Sequence, residues 1–196
     1  RAAFDRNLWI WKEYDLSAEY MISADVARGD GRDFSVFHVF DIHKSEIVAE
    51  YKGKVTPDVF TEVLISAGKE YGNALLIVEN NTVGFSVLEK LINRGYNNIY
   101  YSRKGSHEFV ESFEGQYSNS AIAGFSTTQK TRPLIIAKME EFVRNKLIKI
   151  YSSRTTNEMK TFIWRNGKPQ AMKGYHDDLI MALAIACWVR DTALQA

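Results

Sequence analysis

YMISADVA, residues 20–27, is the segment around which the predicted fold is built. Its apolar and β-branched residues predict a strand in the interior of a sheet, and Asp25 interrupts the apolar run near its end. A buried ionised carboxylate is tolerated only when hydrogen bonds, a cation or a metal compensates it. Asp25 is therefore a candidate functional residue. The alternative is an acid that caps the turn before Gly29.

Strands and helices follow this segment in the order of a mixed α/β sheet. Residues 34–42 and 46–55 continue the first strand as an antiparallel meander, and residues 74–78 form a buried strand between two helices. Strands separated by a crossover helix pair in parallel. We therefore predict a mixed five-stranded sheet with flanking helices. The predicted helices cover residues 57–71, 83–94, 133–145, 156–164 and 178–194. Two more short strands cover 99–101 and 147–151, and residues 102–128 form an irregular insertion, with a hairpin inside it as the alternative.

A second acid, Glu79, ends the apolar run LLIV at residues 75–78. It therefore lies at the carboxyl end of its strand, where open α/β sheets place their ligands. If the first and fourth strands are parallel neighbours, Glu79 and Asp25 converge, because adjacent strands lie about 5 Å apart. The alternative is a solvated glutamate that starts a loop.

The third candidate is the pair Asp177 and Asp178, which follows His176 and precedes the apolar helix that starts with LIMALA. Asp is a preferred N-cap and is favoured at the positive end of a helix dipole, so capping explains at least one of the two. The sequence does not choose which one is left to act as a ligand.

Acids gathered at one point repel each other, and a divalent metal is the usual compensation. Oxygen ligands favour Mg²⁺ or Mn²⁺ over zinc. Two such ions roughly 3.5 to 4 Å apart can hold a phosphodiester, where one activates water and the other stabilises the leaving oxygen. This chemistry needs no nucleophilic side chain.

Composition limits the kinds of fold and function that the chain can have. The 196 residues suffice for one domain, the single cysteine, Cys187, excludes an internal disulfide, and no apolar run is long enough to span a bilayer. The net charge is +1, but residues 125–175 hold eleven Lys and Arg against three Asp and Glu. This asymmetry suits a protein that presents a basic surface to phosphates beside a cluster of acids. A solvated charged face is the alternative.

Four segments in order resemble the nuclease domain of tailed-phage terminase large subunits, closest to the T4-like group. The resemblance covers nearly the whole chain. It is carried by ISADVARGDGRDFS (22–35), LLIVENNTVG (75–84), the stretch 124–168 that contains Thr131-Arg132-Pro133, and GYHDDLIMALAIACW (174–188).

The resemblance implies an RNase H-like fold over a single domain, residues 1–196, that cuts concatemeric double-stranded viral DNA during genome packaging. It places the metal-binding acids on Asp25, Glu79 and either Asp177 or Asp178, with Asp33 as an additional acid whose alternative is a turn aspartate beside Gly31. The implied cofactor is Mg²⁺, which Mn²⁺ can replace, with two ions. The implied partners are the portal protein and the small terminase subunit, in the cytoplasm of the host cell at the procapsid.

Members of this family also carry a packaging ATPase domain, but the sequence contains no Gly-x-x-x-x-Gly-Lys-Ser/Thr loop, so we expect no ATP hydrolysis. Arg132 is expected either to contact DNA or to anchor the fold. The candidate phosphate contacts are Arg103, Lys104, Lys130, Arg132 and Lys173, and for each of them a solvated surface cation is the alternative.

Other classes of function remain open at this point. A DNA-binding module without catalysis would use the basic region and ignore chelators. A resolvase or transposase relative would share the fold, because one fold hosts many functions. A His-Asp phosphohydrolase is suggested only by His176 and Asp177, and the remaining histidines, His38, His43 and His107, show no ligand spacing.

Overall fold

A six-stranded mixed sheet forms the centre of the computed structural model. Its strands are β1 (Ala2–Ala3), β2 (Leu8–Ile10), β3 (Tyr20–Asp25), β4 (Ser35–Asp41), β5 (Glu46–Gly53) and β6 (Leu75–Val78). Their spatial order is β1-β2-β5-β4-β3-β6, and every neighbouring pair is antiparallel except β3 with β6. The predicted mixed sheet with flanking helices is confirmed.

The structure describes residues 2–3, 6–105, 109–110 and 112–193. Within these ranges no helix combines the length and the apolar character that crossing a membrane requires. Residue 194, the predicted end of the last helix, and residues 106–108 and 111 of the predicted insertion lie outside them.

Helices cover both faces of the sheet. The described helices are α1 (Pro57–Glu70), α2 (Thr82–Asn93), α3 (Ser112–Tyr117), α4 (Thr131–Arg144), α5 (Ser153–Lys160) and α6 (Asp178–Thr192). One core cluster joins α1 and α2 to one face of the sheet, through residues such as Ile22 and Leu76. The other joins α4 and α6 to the opposite face, through residues such as Met21 and Ile77. Side chains alternate between the faces because the period of a strand is two residues.

Outside the central sheet, five short strands form two small sheets. They are β7 (Tyr101–Arg103), β8 (Phe109–Val110), β9 (Ala121–Ala123), β10 (Phe162–Arg165) and β11 (Lys168–Ala171). The first three form a sheet of order β8-β7-β9, within the segment predicted as an irregular insertion. The last two form an antiparallel hairpin.

Three local predictions differ from the structure. The predicted fifth strand, residues 99–101, is not a strand of the central sheet: Ile99 forms an isolated parallel bridge with Leu76, and Tyr101 begins β7. Likewise, residues 147–151 make a single bridge instead of a strand. The predicted helix 156–164 ends at Lys160, and β10 follows. Asn166 and Gly167 have φ of 51° and 72°, the left-handed conformation that a tight two-residue hairpin turn requires.

Helix α6 is deeply buried. Nine consecutive side chains, residues 179–187, are buried, and the helix packs against β3, β4, α4 and α5. Hydrogen bonds also tie it to the sheet, since Ser23 Oγ donates to the Ala182 carbonyl at 2.7 Å and His38 Nε2 donates to the Leu179 carbonyl at 2.9 Å. The position of α6 is therefore fixed along its first two turns.

Truncation of a core side chain on α6 should destabilise the protein strongly. Leu183 is fully buried, so Leu183→Ala leaves a cavity and should lower the free energy of unfolding by about 2–5 kcal/mol. Urea denaturation followed by circular dichroism measures this change. Leu16→Ala is the control, because Leu16 is 90% exposed and its truncation should cost under about 0.5 kcal/mol. Equal effects of the two variants would contradict the assigned burial.

Candidate metal centre

The parallel pair β3 and β6 brings Asp25 and Glu79 together. Ala24 is the register partner of Val78, and the amide of Glu79 donates to the Ala24 carbonyl at 3.0 Å. Asp25 follows Ala24 on β3, and Glu79 follows the last residue of β6. By the two-residue period, both side chains lie on the face of the sheet that α6 covers.

Helix α6 supplies two more acids to this edge of the sheet. Asp177 is its N-cap residue and Asp178 its first helical residue. Because Ser23 and His38 hold the first turns of α6 against β3 and β4, the start of the helix lies beside the end of β3. Asp178 also accepts a hydrogen bond from the Phe34 amide at 3.2 Å, which attaches it to the loop before β4.

A pocket of about 480 Å³ opens at this point. The carboxylates that line it come from β3, from the end of β6, from the start of α6 and from the loop between β3 and β4. They are Asp25, Asp30, Asp33, Glu79 and Asp178. Four of the five acids predicted to bind metal, all except Asp177, therefore line one cavity.

The pocket disfavours negative charge on two of these acids. Burial raises the pKa of Asp25 well above its usual value, and the charge of Glu79 and a hydrogen bond with Glu79 raise it further. Burial also raises the pKa of Asp178 to about 7, with the charges of Glu158, Asp33 and Asp177 acting in the same direction. The hydrogen bond from Phe34 opposes this rise. Both acids thus gain strongly from a nearby cation.

Buried acids elsewhere in the protein have such a cation. Glu46 pairs with Lys12, Glu50 with Arg154, Glu158 with Lys52 and Asp41 with Lys44, at N–O distances between 2.5 and 3.6 Å. In the part of the chain that the structure describes, no Lys or Arg forms an ion pair with Asp25, Glu79 or Asp178. The pocket acids fit a site for an external cation, because no described Lys or Arg is paired with them.

A histidine joins the acids on one side of the pocket. His176 Nδ1 lies 3.7 Å from Asp178 Oδ2 and 3.9 Å from Asp33 Oδ1, and these three groups offer ligand atoms within 4.8 Å of one another. The sequence analysis considered His176 only for a His-Asp phosphohydrolase and missed it as a partner of Asp33. Its position directly before the two aspartates was the available signal.

Asp177 differs from Asp178 in its surroundings. Arg132 Nη2 donates to Asp177 Oδ2 at 2.5 Å, and Arg132 Nε donates to the Pro169 carbonyl at 3.0 Å. Asp177 is thus neutralised by a cation of α4, whereas Asp178 faces the pocket. Of the two aspartates, Asp178 is the one that lines the pocket and could hold a metal there. Arg132 links α4, β11 and the start of α6.

The other predicted phosphate contacts lie outside the pocket lining. Lys104, Lys130 and Lys173 are exposed, and Arg103 lies 4.0 Å from Glu114. Arg28, which the sequence analysis did not single out, is exposed and lines the pocket itself.

Glu79 is positioned by the first turn of α2. The side chain of Asn81 caps this helix by accepting from the Gly84 amide at 2.8 Å, and its amide group lies 3.4 Å from Glu79 Oε2. Gly84 packs so closely that an added Cβ would lie 1.8 Å from the Glu79 carbonyl oxygen. Only glycine permits this approach of α2 to the end of β6.

Comparison with solved structures identifies the fold. No family model matches the chain. The large terminase nuclease from thermophilic phage G20c superposes with a TM-score of 0.68 at 18% identity, over 92% of this chain and 87% of that chain. The same nuclease with bound magnesium gives 0.71 at 18% identity over 93% and 87%, and related structures contain cobalt and zinc. The nuclease domain of the Thermus phage P74-26 large terminase gives 0.67 at 18% identity, over 92% and 84%.

The mixed sheet with helices on both faces is thus an RNase H-like fold. Within that class it is the fold of the large terminase nuclease domains, as the sequence resemblance predicted.

The raised pKa of Asp178 predicts a pH-dependent cost to stability. The native state retains a proton that the unfolded state releases above a pKa of 3.8, so stability falls as the pH rises from about 4 to about 7. Without divalent metal, Asp178→Asn should therefore raise the free energy of unfolding at pH 8, by roughly 2–4 kcal/mol, and change it little at pH 4. Urea titrations at both pH values in EDTA measure this. A gain that is equal at both values would rule the explanation out.

Replacement of Gly84 should disturb Glu79 through the backbone. Gly84→Ala forces α2 away from the Glu79 carbonyl and should lower the free energy of unfolding by about 1–3 kcal/mol. Gly31→Ala is the control, because a Cβ at residue 31 would meet no atom within 4 Å. Gly95 has equally open space but a positive φ, so its replacement would add backbone strain. Thermal denaturation of Gly84→Ala and Gly31→Ala compares the two sites, and an unchanged melting temperature for Gly84→Ala would contradict the close contact.

Proposed function

We propose that this chain is a metal-dependent endonuclease that hydrolyses phosphodiester bonds of double-stranded DNA. The observation that supports the proposal is that the pocket acids, unlike the other buried acids, have no Lys or Arg partner among the described residues. Four buried acids elsewhere are paired with Lys or Arg, while Asp25, Glu79 and Asp178 share one pocket without such a partner in the described residues. A cluster of this kind is stable as a charged site only with a cation.

The residues divide into two overlapping sets. Asp25, Glu79 and Asp178 form the first, and Asp33, His176 and Asp178 form the second, so that Asp178 belongs to both. Two sets that share a ligand support the proposal of two metal ions. Divalent cations held by these residues would supply the positive charge that activates water and stabilises the leaving oxygen of the phosphodiester.

Mg²⁺ is the proposed cofactor because carboxylate oxygens dominate the pocket, and Mn²⁺ is proposed as a substitute. The imidazole of His176 favours Mn²⁺ over Mg²⁺ in the second set, since nitrogen ligands suit transition metals better. Structures of the G20c nuclease with magnesium, cobalt and zinc support a site of broad metal acceptance in this fold.

Arg28 is proposed to contact the phosphate beside the scissile bond, because it is a cation in the lining of an acidic pocket. Arg103, Lys104, Lys130 and Lys173 are proposed to bind phosphates further along the duplex. Arg132 is proposed to act on Asp177 and not on DNA.

The biological substrate that we propose is concatemeric viral DNA, cut during genome packaging in the host cytoplasm. This proposal rests on the sequence resemblance and on the fold shared with large terminase nucleases. The portal protein and the small terminase subunit are the proposed partners. We also propose that residues 1–196 act as a single nuclease domain.

Cleavage of supercoiled plasmid tests the activity. With Mg²⁺ or Mn²⁺ the chain should nick or linearise the plasmid, and EDTA should abolish the cut. Asp25→Asn removes a charged ligand and should lower the initial rate by a factor on the order of 10² or more. Agarose-gel time courses give both rates.

Asp41→Asn is the matched control for this experiment. Asp41 is a buried aspartate of the same sheet, but it pairs with Tyr20 at the opposite end of β3 and has Lys44 as its cation. Its replacement should leave the cleavage rate within about threefold of the parent, as expected of a change far from the site. Plasmid that is bound without being cut at any metal concentration would reduce the proposal to a DNA-binding module.

A further inference from the structure

The buried start of α6 has an unusual cap. The first amides of a helix have no partner inside the helix, and the N-cap side chain usually accepts from the second or third of them. In α6 the N-cap residue is Asp177, and its side chain accepts no such bond. These amides are those of Leu179 and Ile180, and both residues are fully buried. Their hydrogen bonds must therefore come from elsewhere in the protein.

Glu158, on α5, provides them. Its Oε2 accepts from the Leu179 amide at 2.9 Å and from the Ile180 amide at 3.4 Å. Its Oε1 accepts from Lys52 of β5 at 2.6 Å. The side chain of Glu158 is only 8% exposed, and that of Lys52 is 16% exposed. A buried ion pair therefore fixes the carboxylate against the helix.

Because Glu158 accepts from these amides, neither aspartate at the start of α6 is needed to cap the helix. Asp177 turns to Arg132, and Asp178 turns to the pocket, where it accepts from the Phe34 amide. If Glu158 were absent, Asp178 would gain a hydrogen bond by turning from the pocket onto the unpaired amide of Leu179 or Ile180. That movement would withdraw a carboxylate from the pocket wall.

We propose that Glu158 is a positioning residue of the metal centre. It takes over the N-cap of α6 and thereby keeps Asp178 directed into the pocket. The proposal rests on the function proposed above and adds to it a residue outside the pocket lining. On this proposal, the length of the Glu158 side chain affects metal binding more than its charge does. The amides of Leu179 and Ile180 need only an acceptor oxygen at the right place.

Two conservative variants separate reach from charge. Glu158→Asp keeps the charge but is one methylene shorter, so it cannot hold both the α6 amides and Lys52. Glu158→Gln loses the charge but keeps an oxygen at the same distance. Calorimetric titration of Mn²⁺ into the DNA-free protein should show the dissociation constant raised at least tenfold by Glu158→Asp and less than threefold by Glu158→Gln.

Glu46→Asp is the matched control. Glu46 is also a buried glutamate held by a lysine, Lys12, at 2.5 Å, but its hydrogen bonds go to Lys12 and Tyr151 and not to α6. Its variant should bind Mn²⁺ within twofold of the parent. Urea unfolding in EDTA on all three variants verifies that they are folded, so that a loss of affinity is not a loss of structure.

Each result decides between the accounts. A Glu158→Asp protein that binds Mn²⁺ as tightly as Glu46→Asp overturns the positioning role, and so does a Glu158→Gln protein that is as weak as Glu158→Asp. A parent protein that neither binds Mn²⁺ nor cuts plasmid refutes the proposed function itself. The parent is therefore measured first in the same series.

Discussion

The packing of α6 against the sheet is the interaction on which the pocket depends. This helix is apolar over nearly its whole surface, so the hydrophobic effect places it deep, and Ser23 and His38 fix its height along β3 and β4. Once the helix is docked, its amino-terminal end lies at the carboxyl edge of the sheet. The acids of three segments that are remote in sequence then share one cavity.

Much of this arrangement could be predicted from periodicity. Residues 21, 23 and 25 and residues 75, 77 and 79 lie on one face of two strands, and the helix between strands requires parallel pairing. Asp25 and Glu79 therefore had to meet at one edge if β3 and β6 were neighbours. The acids before α6 were recognisable because they precede a long apolar helix. The strands β3 to β6 were predicted for the same reason, since each is an apolar run of strand length.

Features that depend on long-range contacts could not be predicted. The cap of α6 by Glu158 joins residues 21 positions apart, and no local pattern marks it. The partnership of His176 with Asp33 depends on the loop before β4. The β10–β11 hairpin was missed for a different reason. Residues 156–164 have helical character at their start, which hides the strand that follows, although the Asn166-Gly167 pair is a turn signal that redirects the chain.

The buried and partly buried acids in the described part of the chain fall into two groups, those with a cationic partner there and those without one. Glu46, Glu50 and Glu158 each form an ion pair with a Lys or Arg of the protein, and these ion pairs connect different segments of the chain. The pocket acids lack such partners among the described residues, and the protein bears the destabilisation that their burial and their mutual repulsion cause. Such local instability is typical of functional sites, where function and stability oppose each other.

The separation of these acids along the chain has a consequence for synthesis of the protein. Asp25 and Glu79 leave the ribosome before α6 does, and the pocket has no third wall until α6 has been made and has docked against β4 and α4. A nascent chain therefore contains the first two carboxylates without the cavity that gives them their chemistry. The pocket is therefore complete only after α6 has been translated and has docked, so a chain that lacks α6 lacks the cavity.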